Sequence, residues 1–129
     1  MISKYELIKT IETYYLDFSH QNNIIFSFDG TSFETKGITE YVNLYIKFQG
    51  TEFDITKNKD FVTGMIWFTI YAGTKQRAYQ IQDLIQQDAF SGIPETTTPK
   101  IPMNLTQYSE AYNLENGYYL VRFGVSFSL

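Results

Sequence analysis

The sequence contains no cysteine, a single histidine and a single tryptophan in 129 residues, and all three of its prolines fall within a dozen positions. Without cysteine there are no disulfides, no thiol nucleophile and no cysteine-ligated metal, which fits a reducing compartment. With one histidine, His20, a metal site would have to be built from carboxylates and other oxygens. A lone histidine at a helix end is more commonly solvated or set against the helix dipole than catalytic. No apolar run approaches membrane-spanning length, and MISKYELIKT lacks the apolar stretch of a signal peptide. The expected location is therefore the cytosol, with no membrane partner. Ten basic and fourteen acidic residues give a net charge of −4. No cluster of Lys and Arg offers the phosphate-neutralising surface that nucleic-acid binding needs.

Aromatic residues are plentiful, with eleven Tyr and eleven Phe. They suit half-buried pleated sheets and protein–protein contacts alike. The length is that of one domain, spanning residues 1–129, which can bury a core without metal or disulfide.

Ser3 and Glu6 form an S-x-x-E capping box, and Ile2 and Leu7 stand at the positions of a hydrophobic staple. Leu7, Ile11, Tyr14 or Tyr15, and Phe18 follow at helical spacing, so a helix is expected to run to His20–Asn23. Ile24–Phe28 reads as a short strand ending at Asp29-Gly30. Tyr41–Phe48 alternates, with Val42, Leu44, Ile46 and Phe48 on one face. Gln49-Gly50 is expected to end that strand. TEFDITKNKDFVT then reads as a long hairpin connection with arms, around Phe53–Ile55 and Phe61–Val62, that can extend the strands. Met65–Ala72 is apolar on both faces, which predicts a central strand covered on both sides.

Thr74 is a suitable N-cap for a helix over Lys75–Phe90, with Ala78, Ile81, Leu84, Ile85 and Ala89 facing the core and Gly92 as the stop. SGIPETTTPKIP is polar and proline-rich and reads as a loop, of a length usually functional or mobile. Leu105–Leu114 and Tyr118–Leu129 read as strands of a hairpin around Asn116-Gly117, with Gly124 as a candidate bulge. The expected fold class is α+β: one mainly antiparallel sheet, two helices packed on one face, and a long β-hairpin.

Three groupings bear on chemistry. Asp54, Thr56, Asn58 and Asp60 superficially resemble a calcium loop, but position six is Lys59, position twelve is Met65, and Lys57 and Lys59 would repel a cation. Gly73-Thr74-Lys75 is a fragment of a phosphate loop, lacking the glycines that converge amides on phosphate, although Lys75 and Arg77 could hold an anion at the helix N-terminus. Asp83 and Asp88 are five residues apart and do not face each other on a helix. No catalytic constellation emerges, and neither a cofactor nor a metal is expected.

YVNLYIKFQG with TGMIWFTIYAGT, the helix KQRAYQIQDLIQQDAF in an A-x-x-I-x-D-x-[LI]…F pattern, and ENGYYLVRFGVSFSL after its Asn-Gly turn are together similar to the tail terminator family of long-tailed bacteriophages, the minor tail protein U type. With the N-terminal helix, the resemblance spans nearly the whole chain. It implies a non-enzymatic structural protein, made in the bacterial cytoplasm and residing in the virion. Such proteins form a hexameric ring that caps the tail tube, ends its polymerisation and offers a surface to a head–tail connector or neck protein, with DNA passing through the lumen. On that resemblance the interface loops are Gln49–Thr63 and Ser91–Asn104, with Glu52, Asp54, Lys57, Lys59, Asp60, Ile93, Glu95 and Lys100 as candidate contacts. Alternative readings are another neck or tail-completion protein, or a small-ligand-binding domain that uses the aromatic sheet face as its pocket.

Overall fold

A computed structural model describes residues 3–30, 33–54, 59–96, 99–113 and 117–128, with the backbone alone at 50–54, 59–61 and 105–110. In chain order the elements are α1 (Lys4–Asn22), β1 (Phe26–Phe28), β2 (Tyr41–Asp54), β3 (Lys59–Ala72), α2 (Lys75–Ala89), β4 (Met103–Asn113) and β5 (Tyr119–Ser128). This is the α+β fold expected from the sequence. One five-stranded sheet is ordered β1-β2-β3-β5-β4. Every pairing is antiparallel except β1 with β2, which is parallel.

Local chemistry sets both helix starts. Ser3 Oγ accepts from the Glu6 amide at 3.1 Å, and Thr74 Oγ1 accepts from the Arg77 amide at 3.2 Å. Each relieves one of the amides that a helix start leaves without a partner. Ile2, the other half of the expected staple, lies outside the described residues. Asn23 ends α1 in the left-handed region at φ 53°, and Gly92 takes φ 71° two residues past the Phe90 cap of α2, its amide donating to the Ala89 carbonyl. An L side chain is disfavoured there.

Both helices pack on the same face of the sheet. Leu7, Ile11, Tyr15 and Phe18 of α1 and Ala78, Ile81, Ile85 and Ala89 of α2 are buried against Val42, Leu44, Ile66, Phe68, Ile70, Val121, Phe123 and Val125. Leu84 was expected in that stripe but is 38% exposed, and Gln82 takes the buried place. The α2 axis is thus rolled away from the most apolar arc of its sequence. At the centre an aromatic chain crosses the core. Tyr15 stacks on Phe26 at 6.1 Å and meets Phe68 edge-on at 5.1 Å, and Phe68 stacks on Phe123 at 5.2 Å. Each such pair adds about 0.5–1.5 kcal/mol beyond the area it buries. The helices are also tied to each other, because the Tyr14 hydroxyl donates to Asp88 Oδ2 at 2.7 Å.

Three strand features differ from the sequence expectation. β2 does not end at Gln49-Gly50; its ladder with β3 shifts register between Phe48 and Gly50 and continues to Asp54. A bulge lets a glycine stay within a strand that bends and twists there. Gly124 is not a bulge in β5, where it pairs regularly with Trp67. The irregularity falls on the neighbouring strand, between Leu105 and Ser109 of β4. Finally, β3 is central but covered on one side only. Ile66, Phe68 and Ile70 are fully buried, while Met65, Trp67, Thr69 and Tyr71 on the other face are partly exposed.

Candidate interaction surfaces

Two features of the sheet stand out as surfaces. The first is an arm. β5 pairs with β3 from Ala72 back to Thr63, and β1 pairs with β2 only over Val42–Leu44. From Thr51↔Val62 to Asp54↔Lys59, β2 and β3 have only each other among the described residues. The ladder therefore leaves the sheet as a two-stranded ribbon, ~13 Å long at about 3.4 Å per residue. Such a ribbon is marginal in water by itself and presents unpaired backbone groups along both edges.

Four of the candidate contacts lie on this arm: Glu52 and Asp54 on β2, and Lys59 and Asp60 on β3. They stand on strands, not in an open loop, so the calcium-like spacing is spread over two strands. Lys57, like Thr56 and Asn58, lies outside the described residues.

Ser91–Asn104 splits into two kinds of position. Ile93 is 1% exposed and belongs to the core, which removes it from the candidate contacts. Its amide donates to the Ile101 carbonyl at 3.0 Å and its carbonyl accepts from the Ile101 amide at 2.9 Å, a one-bridge ladder that closes the proline-rich segment on itself. Glu95 and Lys100 are exposed between those anchors. The composition of the segment signals a loop, but the pairing of two isoleucines across it is non-local and leaves no periodic trace.

The second surface is the open sheet face. Strand registers place its side chains in rows across β2, β3 and β5: Tyr41, Tyr71 and Leu120; Asn43, Thr69 and Arg122; Tyr45, Trp67 and Gly124; Lys47, Met65 and Ser126. Tyr41 and Tyr71 stack at 4.5 Å and 9°, Tyr118 meets both edge-on, and Phe33 leans on Tyr41. The Tyr118 hydroxyl donates to the Ile38 carbonyl, closing the preceding loop over one end of the face. Burial, then the neighbouring tyrosines, raises the Tyr41 phenol above its ordinary range, and burial likewise raises Tyr71. The Arg122 guanidinium lies 4.8 Å from the centre of the Trp67 ring, in cation–π range. Among the described residues this face forms an aromatic platform. The alternation of Tyr41 and Tyr45 with Trp67 and Tyr71 marks it in the sequence; only the side on which the helices pack was missing.

The remaining chemical candidates fall on ordinary structural duties. Arg77 is held by Glu40 through Nε at 3.0 Å and Nη2 at 2.9 Å, so its guanidinium fastens the start of α2 to the entry of β2. That engagement takes it away from anion binding at the helix start. Lys75 is exposed there, and His20 is exposed in the last turn of α1. Asp88 serves Tyr14, and Asp83 is exposed. Among the described residues, no three His, Asp or Glu side chains converge as metal ligands, and no helix is long and apolar enough to cross a membrane. The sequence matches no protein-family model and no curated protein.

Proposed function

We propose that the chain is a structural subunit of the tail of a long-tailed bacteriophage, a tail terminator that assembles into a hexameric ring on the tail tube and acts without catalysis or cofactor. The observation that carries this reading is the β2–β3 arm. A ribbon that runs past its own sheet exposes backbone donors and acceptors that a neighbouring subunit can pair or cover. The rigid sheet, braced by two helices on one face, supplies the frame from which the arm projects. The acidic balance suits a lumen through which DNA slides, since clustered positive charge would retain the phosphates. Tail tube protein on one side of the ring and a connector or neck protein on the other are the unlike partners, and the mature location is the virion. Glu95 and Lys100, exposed beside the arm-bearing sheet on a loop of their own, are the candidate contacts for one of these.

The test is to replace Glu52–Phe61 by a two-residue Asn-Gly turn. The shortened chain is expected to keep the circular dichroism and cooperative melting of the parent, to sediment as a monomer, and to yield no head-joined tails. Assembly or tail joining at parental levels by the shortened chain refutes the role of the arm.

A further inference from the structure

A cleft of about 460 Å³ runs along α1, between the helix and the start of the proline-rich segment. Its helix wall is a three-turn stripe, Glu6, Thr10, Thr13, Tyr14 and Asp17, with Lys9 at its side; Ile93, Pro94 and Thr96 form the facing wall. The volume is that of a small-molecule site.

The polar groups of the stripe are biased toward accepting hydrogen bonds. The Thr10 hydroxyl donates its proton to the Glu6 carbonyl at 2.9 Å, and the Tyr14 hydroxyl donates to Asp88 at 2.7 Å. Each hydroxyl has one proton, so both offer the cleft lone pairs only. Glu6 and Asp17 add carboxylates, and neither forms an ion pair with a described residue. They stand eleven residues apart, about 16 Å along the axis at 1.5 Å per residue. The facing wall offers the apolar surface of Ile93 and Pro94, with Thr96 its one hydroxyl among the described residues. Among the described residues Lys9 is the one cation of the lining, and it opposes a positive ligand.

We infer that this cleft is a binding site for an elongated cation with N–H donors at both ends and an apolar middle, one end on Glu6 and the other on Asp17. The inference is independent of the tail reading. Free diamines and a partner's extended segment bearing two lysines offer the same chemistry.

The test is calorimetric titration of the full chain with three probes. One is an α,ω-diamine of about twelve carbons, whose ammonium spacing matches that of the carboxylates along α1. Another is the bis-quaternary ammonium of the same length, which has charge but no N–H donor. The last is an extended peptide with two lysines four residues apart, ~13 Å along a strand. Saturable diamine binding is expected, about tenfold tighter than the quaternary analogue. Glu6→Gln and Asp17→Asn should each weaken it about three- to tenfold, and Lys9→Gln should strengthen it about two- to threefold. All three positions are exposed, so the variants should keep the parental melting curve. Tighter binding of the peptide than the diamine identifies a partner's lysines as the occupant, and the reverse identifies a free amine. No saturable binding of either, equal affinity for the quaternary analogue, or unchanged affinity in both carboxylate variants overturns the site.

Discussion

Gly64 of β3 faces Phe127 of β5 in register, and the phenyl ring fills the space where a side chain would stand. A Cβ at Gly64 would come within 2.7 Å of Phe127 Cζ and 2.7 Å of the Lys47 carbonyl oxygen. The second of these contacts is backbone of β2 and cannot rotate away. Gly64 thus sets the spacing of the sheet at the root of the arm, where Phe48 also meets Phe127 edge-on at 6.1 Å.

Gly64→Ala is accordingly expected to destabilise the fold by about 1–3 kcal/mol, the usual cost of overpacking a filled core. Chemical denaturation followed by the single tryptophan, Trp67, measures it. An unchanged midpoint would mean that the sheet yields at this position.

Tyr14 and Asp88 join the two helices by a hydrogen bond to a carboxylate. Tyr14→Phe should therefore cost about 1–2 kcal/mol, slightly below the range for charged partners because both residues are only half-buried. The same bond carries a pH signature. Burial first, then the bond to Asp88 and its charge, raise the Tyr14 phenol well above its ordinary range. In the unfolded chain tyrosine ionises near pH 10. Above that pH the unfolded state has lost a proton that the folded state keeps, so stability must fall as pH rises. Tyr14→Phe should remove part of that alkaline loss, at most about 1.4 kcal/mol per pH unit. Urea denaturation at successive alkaline pH values, parent against variant, measures the difference. Identical slopes would disconnect Tyr14 from the alkaline transition.

The Arg77–Glu40 pair is bidentate, but its side chains are 36% and 28% exposed. Glu40→Gln should cost less than about 1 kcal/mol, and less again in high salt, because solvent screens exposed pairs. Thermal melting at low and high ionic strength distinguishes this from a buried pair, whose loss would be larger and insensitive to salt.

Features set by neighbours in the chain were legible from the sequence. The Ser3 and Thr74 caps, the Gly92 stop and the alternation of Tyr41–Phe48 and Met65–Ala72 depend on residues a few positions apart. The order of elements was legible as well, and so was the placement of both helices on one face, because two apolar stripes need an apolar sheet face to cover. Features set by distant contacts were not. The parallel docking of β1 on β2, the burial of Ile93 through its bridge to Ile101, and the bulge on β4 opposite Gly124 each need two remote segments. Glycine was misleading at Gly50, where a bulge carries the strand through a residue that elsewhere marks a turn. Leu84 and Gln82 exchanged places because the rotation of α2 follows the shape of the sheet beneath it. On β3 the aromatic residues of the outer face suggested a second cover, whereas they cover one another.

Assembly through the arm is the central claim, and sedimentation velocity of the purified chain at micromolar concentration, with and without tail tubes, tests it most directly. The account predicts a closed ring, hexameric, that is lost when Glu52–Phe61 is shortened. A monomer under every condition, tail tubes included, would contradict it.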